Sequence, residues 1–160
     1  MRNEPKERIA LDAMKAWKIT AHLVTVIAIL FAIAALVIAY YVEFIPYWIG
    51  IILLVASIIL WVVSAWIIPK LRWRRWRYEI FDQEIYIQHG ILIVTRTIVP
   101  MIRVQHVDTK QGPILKKYGL STLQISTAAT THEIPALLEE EASDLRDQIS
   151  ELARVEQDDV

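Results

Sequence analysis

Two long apolar runs organise the chain. Ile19 to Tyr41 holds no Asp, Glu, Lys or Arg and a single histidine, His22, and Tyr47 to Ile68 holds none of these residues. Each run is roughly 20 residues or a little more, enough for a helix to cross a hydrocarbon core of ~30 Å. The pattern therefore predicts two transmembrane helices, over 19–41 and 47–68. The connection Val42-Glu43-Phe44-Ile45-Pro46 is too short for a domain. The helices must then be antiparallel neighbours in one hairpin. Pro46 suits the start of the second helix, where its missing N–H costs nothing.

Beyond Pro69 the period changes from helical to alternating. Trp76, Tyr78 and Ile80 alternate with Arg77 and Glu79, and Phe81-Asp82-Gln83-Glu84 forms a turn. Ile85 and Ile87 belong to a second strand, and His89-Gly90 turns again. A β-branched stretch from Ile91 to Val99 predicts a third strand, interrupted by Pro100, and Ile102 to Thr109 a fourth. Gln111-Gly112-Pro113 breaks the sheet, and a short helical turn over 114–118 ends at Gly119. Leu120 to Thr127 and Thr131 to Ile134 complete a set of sequential antiparallel strands. Pro135 is placed to open a closing helix. Its apolar stripe is Leu138, Ala142, Leu145, Ile149 and Leu152, and Glu139, Glu140 and Glu141 suit its positive end. The stripe is expected to cover the sheet.

Charge changes the picture by giving the hairpin a direction. The net charge is only -1, but its distribution is uneven. Lys15 and Lys18 precede the first run. Lys70, Arg72, Arg74, Arg75 and Arg77 follow the second, while the loop between the runs carries one acid and no base. Positive charge marks the cytoplasmic side, so both termini are expected inside. Trp17, Tyr40, Tyr41, Tyr47, Trp48, Trp66 and Trp73 fall at the four boundaries, the depth that amphipathic rings favour. The expected organisation is an N-terminal cytoplasmic segment over 1–18, a hairpin over 19–68 and a soluble domain over 69–160. Within the first segment Ala10, Met14 and Trp17 share a helical face. Pro5 to Lys18 is thus expected either as a short helix on the membrane surface or as a plain extension of the first span. No secretory signal is expected, because the apolar run continues past Ala32-Ile33-Ala34 and acids accompany the leading bases.

The first span carries small residues at heptad spacing: Ala21, Thr25, Ala28, Ala32, Ala35 and Ala39. The second offers Gly50, Ser57 and Ser64. Lipid tails are as apolar as leucine, so helices associate in membranes by close packing, which small residues permit. These positions are expected to form the packing seam of the hairpin. His22 lies about one turn from Trp17 and Lys18, and no Asp, Glu or Arg lies deeper in either run. A neutral interfacial histidine is expected rather than a proton relay.

Candidate chemistry is sparse. The chain has no cysteine, no Gly-rich phosphate loop and no zinc-type spacing among His89, His106 and His132. Asp108, two residues from His106, shares its strand face without an assigned nucleophile. No catalytic residue, cofactor or metal is expected, and the chain is taken as non-enzymatic. Lys70, Arg72, Arg74, Arg75 and Arg77 adjoin the membrane and are candidates for contact with anionic lipid, or for setting topology alone. Bases interleaved with tryptophan also occur in nucleic-acid sites. The membrane boundary already accounts for that composition, and no nucleic acid is expected.

The order of elements and two motifs are familiar together. Arg72-Trp73-Arg74-Arg75-Trp76-Arg77-Tyr78-Glu79-Ile80 follows a transmembrane pair. Gly90-Ile91-Leu92, Ile98-Val99-Pro100, then Arg103-Val104-Gln105-His106-Val107-Asp108-Thr109-Lys110-Gln111-Gly112-Pro113 and Tyr118-Gly119-Leu120 come after it. The chain resembles, over essentially its whole length, the bacterial pleckstrin-homology-like membrane-flanked domain family, also described as YdbS-like. The resemblance implies a membrane hairpin followed by a PH-like antiparallel sheet or barrel capped by a C-terminal helix. That fold usually has seven strands against the six counted here. It implies a multi-pass protein of the bacterial cytoplasmic membrane. It also implies a homo-oligomer, or a hetero-complex with a related tandem-domain membrane protein. Arg103, Gln105, His106 and Asp108 are the candidates for an interaction surface or for polar bonds around the Gly112-Pro113 corner. The expected role is a membrane-anchored scaffold or interaction module, with an accessory subunit of an export or envelope-stress system as the alternative.

Overall fold

The computed structural model describes residues 3–41 and 46–158. It divides into two compact units, Trp17–Lys70 and the combination of Met1–Ala16 with Leu71–Val160. The loop expected over Val42–Ile45 lies outside the described residues.

Helix α1 spans Ala13–Tyr41 and α2 spans Trp48–Val62. Both are long and apolar enough to cross a membrane, α2 by way of its continuation to Arg75. That continuation is a wide π turn, Val63–Ile67, leading into α3, Ile68–Arg75. Pro69 has no N–H to donate and its ring crowds the preceding turn. The chain responds by widening, and the Ile68 N–H bonds to the Val63 carbonyl, five residues back. Cross-helix contacts establish the antiparallel pairing. Lys18 Nζ sits 5.0 Å from the Trp66 ring centroid, the Trp61 indole donates to His22 Nδ1 at 2.7 Å, and Gly50 lies against Leu36. A β-carbon at Gly50 would stand 2.4 Å from Leu36 Cδ2 and 3.2 Å from its Cα, so the backbones meet there as only glycine allows. Thr25, Ala32, Ala39, Gly50 and Ser57 are buried, while most of the large aliphatic side chains of both helices are exposed to the surroundings of the hairpin. The hydroxyls of Thr25 and Ser57 donate to the carbonyls of Ala21 and Leu53 at 2.8 and 2.7 Å, which leaves no orphan donor in an apolar medium.

In the second unit, β1 (Arg77–Ile80), β2 (Glu84–His89) and β3 (Thr95–Pro100) form one antiparallel sheet, and β4 (Val104–Lys110), β5 (Leu120–Thr127) and β6 (Thr131–Leu138) form another. A 3-10 turn, Met101–Arg103, links the sheets, and α4, Pro113–Lys117, links β4 to β5. Helix α5, Glu139–Asp158, packs on β4, β5, β6 and the 3-10 turn. Its Ala142 and Ile149 meet a core that includes Ile85, Ile87, Val99, Met101, Leu123, Ile125 and Ile134, all buried. The architecture is a membrane hairpin plus two three-stranded antiparallel sheets capped by a C-terminal helix.

Three expectations need correction. First, Pro5 to Ala10 is not helical. Glu7 exchanges two backbone hydrogen bonds with Tyr78 of β1, each 3.1 Å, and the Ala10 N–H donates to the Ala136 carbonyl of β6 at 3.1 Å. The segment runs from one sheet to the other and buries Pro5 and Ile9. Sheet edges offer unpaired backbone groups, and that demand takes Ala10 out of the helix, while Met14 and Trp17 lie on α1 as an extension of the first span. The first segment therefore belongs with the sheets in one unit, and the unit boundary falls between Ala16 and Trp17, two residues before the expected one. Second, β3 begins at Thr95, because Gly90, at φ 117, turns the chain and residues 91–93 bend away. Third, Pro135 does not open α5. It is buried within β6, at an irregularity where the pairing steps from Ser121↔Leu137 to Leu123↔Ile134. A missing N–H is tolerated at such a step, and Ala136 beside it takes φ 52.

Candidate functional site

The sheet ends bring together residues that are far apart in sequence. Trp76, between α3 and β1, is buried and stacks on His89 at the end of β2, with ring centroids 5.2 Å apart and planes inclined by 21°. Around this stack opens a cavity of about 450 Å³. Arg72, Ile91 and Thr97 line one side, and Thr131, His132 and Glu133 of β6 another. The lining combines one guanidinium, two imidazoles, one carboxylate and two hydroxyls around an indole. Among the described residues no group of three or more His, Asp or Glu could hold a metal ion.

Four of the five bases behind the second span lie on α3 and the fifth on β1. Lys70 ends the hairpin unit, and Arg72, Arg74 and Arg75 are exposed on α3. Arg77 lies on β1 with its Nε 3.7 Å from a Glu4 oxygen, and Arg96 Nη2 lies 3.8 Å from the other oxygen. Arg96 also donates to the buried Gln88 at 2.9 Å, so Glu4 ties the N-terminal segment to the polar interior of the first sheet. Of the seam residues, Ala32, Ala39, Gly50 and Ser57 are buried, and Ala28, Ala35 and Ser64 are half-buried.

In the Arg103–Asp108 motif, Arg103 closes the 3-10 turn and the others lie on β4. An irregularity between Val104 and His106 turns both Gln105 and His106 outward. His106 Nε2 and Asp108 Oδ2 are 3.9 Å apart and both side chains are exposed, a loose pair on open surface. Beside them Ile102, Arg103, Gln105, Thr127, Ala128 and Ala129 line an open groove of about 790 Å³. The corner at Gly112-Pro113 is held by Gln111. Its Nε2 lies 3.0 Å from the Leu120 carbonyl, 3.3 Å from Ser121 Oγ and 3.1 Å from Glu139 Oε2, joining β5 to the start of α5. The sequence showed Gln111 only as part of a break and a motif, and revealed neither its bonds nor the stack of Trp76 on His89 nor the approach of His132. Only the chain's fold makes them neighbours. It also passed over Tyr78, a buried residue on β1 whose hydroxyl donates to Glu141 of α5 at 2.5 Å. Burial first, and the bond to Glu141 second, push this phenol well above its ordinary value.

Comparison with known proteins decides the family. The model of the bacterial PH domain matches residues 11–153. The chain belongs to the bacterial PH domain family. It is 52% identical, over 163 aligned residues and the full length of both chains, to the transmembrane protein YdbS of Bacillus subtilis (strain 168). It is 34% identical over 79 residues to the transmembrane protein YdbT of the same organism, a match covering 49% of this chain and 15% of that longer protein. No solved structure matches. The chain is thus a transmembrane protein carrying a bacterial PH domain, and its two apolar helices account for the membrane location. The family match begins at Leu11, within the stretch that leads into the first span, so the bacterial PH domain and the hairpin fall inside one matched unit.

Proposed function

We propose that the protein is a non-enzymatic, membrane-anchored interaction module that assembles with copies of itself or with a tandem-domain membrane protein. The hairpin anchors the domain, with both termini on the cytoplasmic side, where Lys15, Lys18 and the arginines of α3 meet the anionic leaflet. The observation that carries the reading is the surface at the start of β4. There Gln105 is exposed on the outer strand of a sheet, with Ile102 and Arg103 exposed on the 3-10 turn that leads into it, beside an open groove of about 790 Å³. An outer strand flanked by an apolar anchor, a guanidinium and an amide is a surface suited to pairing with another chain. The longer relative YdbT, similar to half of this chain, is the kind of partner such a surface would meet.

The test is native mass analysis of the full-length protein in mild detergent, alone and co-expressed with a tandem-domain relative. A defined homo- or hetero-complex is expected, and R103E combined with Q105A should dissociate it. A single-chain mass in both preparations would overturn the reading.

A further inference from the structure

The β2–β3 loop is the most apolar exposed feature of the domain. Leu92 is 96% exposed and Ile93 is 82% exposed, and they are adjacent in the chain. Elsewhere in this unit the exposed large hydrophobics are less open, Leu11 at 63% being the next and Phe81, Ile98, Ile102 and Leu138 lower. Singly scattered apolar residues need no explanation, but a pair held at the tip of a loop does. The loop's shape is built in. Gly90 takes φ 117, and a β-carbon there would stand 1.9 Å from the Ile93 carbonyl oxygen, so only glycine closes this turn. With His89 paired to Thr95, the intervening residues must project beyond the end of the sheet.

That end is the one by which the chain arrives from the membrane. Arg77 of β1 pairs with Gln88, and Trp76 stacks on His89, so the entry of the chain and the root of the loop are neighbours within the domain. Trp76 follows Lys70, the last residue of the hairpin unit, by one short stretch that is helical to Arg75. At ~1.5 Å per helical residue this tether is roughly 9 Å long. Arg72, Arg74 and Arg75 lie on the same stretch and are exposed. An apolar tip near bases, within a short tether of a membrane span, matches a leaflet boundary with anionic headgroups above and acyl chains below.

We infer that Leu92 and Ile93 insert into the lipid leaflet and form a second, non-spanning contact of this domain with the membrane. The inference stands apart from the assembly reading, since it needs only the membrane anchor. The chain contains no cysteine, so a single introduced thiol labels one site. Full-length L92C, I93C and, at the opposite end of the sheet, D82C would be labelled with an environment-sensitive fluorophore. They would then be placed in nanodiscs of phosphatidylcholine and phosphatidylglycerol. The expected result is a blue-shifted emission at the two loop sites. A lipid carrying a nitroxide near the headgroup end of its acyl chain should quench them several-fold more than D82C, and aqueous iodide several-fold less. Iodide quenching equal to that of D82C would overturn the inference. So would protection from both quenchers, which would mean that a protein surface covers the loop.

Discussion

Replacing Ile9 by alanine should unfold the domain at a much lower temperature, although Ile9 precedes the first membrane span. The side chain is only 2% exposed, between Glu7 and Ala10, whose backbones bond to β1 and β6. Its own carbonyl accepts the Trp73 indole N–H at 3.1 Å, and Arg8 beside it covers the Trp73 ring at 5.3 Å. I9A leaves these backbone and neighbour interactions in place and removes packing alone. Truncating a buried isoleucine costs about 2–5 kcal/mol, so about 3 kcal/mol is a central value. For a domain of roughly 100 residues each kcal/mol moves the midpoint by about 4–8 °C, giving a fall of about 12–24 °C. The assay is thermal unfolding of the full-length protein in detergent, with hydrogen exchange read on peptides from β1 and β6 to localise the loss. The comparison is K6A. Lys6 pairs with Glu79 at 3.2 Å, but its side chain is 81% exposed, and such a pair contributes about 0–1 kcal/mol. If residues 5–18 formed a helix on the membrane surface, I9A would weaken membrane contact and leave the domain's unfolding where K6A leaves it. A midpoint for I9A equal to that of K6A would refute the strand-like role of this segment.

Two further outcomes follow from the same fold. G50V should drive a branched side chain into Leu36 and cost about 1–3 kcal/mol of hairpin stability; recovery of the detergent melting temperature in G50V combined with L36A would tie the loss to that contact. Y78F should cost about 1–2 kcal/mol at neutral pH by deleting the hydroxyl donor to Glu141. Because the phenol is held above its ordinary value, the folded state keeps its proton after the unfolded chain has lost it. The associated stability is complete below pH ~10, the unfolded tyrosine value, and declines as pH rises beyond it. Denaturant titrations across that range should show a steeper decline for the wild type than for Y78F, and parallel curves would discard the account.

The parts governed by local or solvent physics were legible in the residues alone. Two apolar runs free of Asp, Glu, Lys and Arg can satisfy their backbone groups in lipid only as helices, whatever the rest of the chain does. Alternation in Arg77–Ile80 and Leu120–Thr127, and the spacing of Ala142, Leu145 and Ile149, likewise specified strands and a covering helix, because a buried face must recur with the period of its element. Tertiary structure decided whatever depends on distant partners. The helical face of Ala10, Met14 and Trp17 extended the expected helix back over residues 5–10, yet that stretch bridges β1 and β6, since open sheet edges there needed backbone partners that no local rule reveals. Pro135 has the marks of a helix start yet sits in β6, where a step in the register spares it the N–H it lacks. The stack of Trp76 on His89 and the Gln111 clamp were invisible for the same reason: their members are separated in sequence and meet only once the sheets have formed.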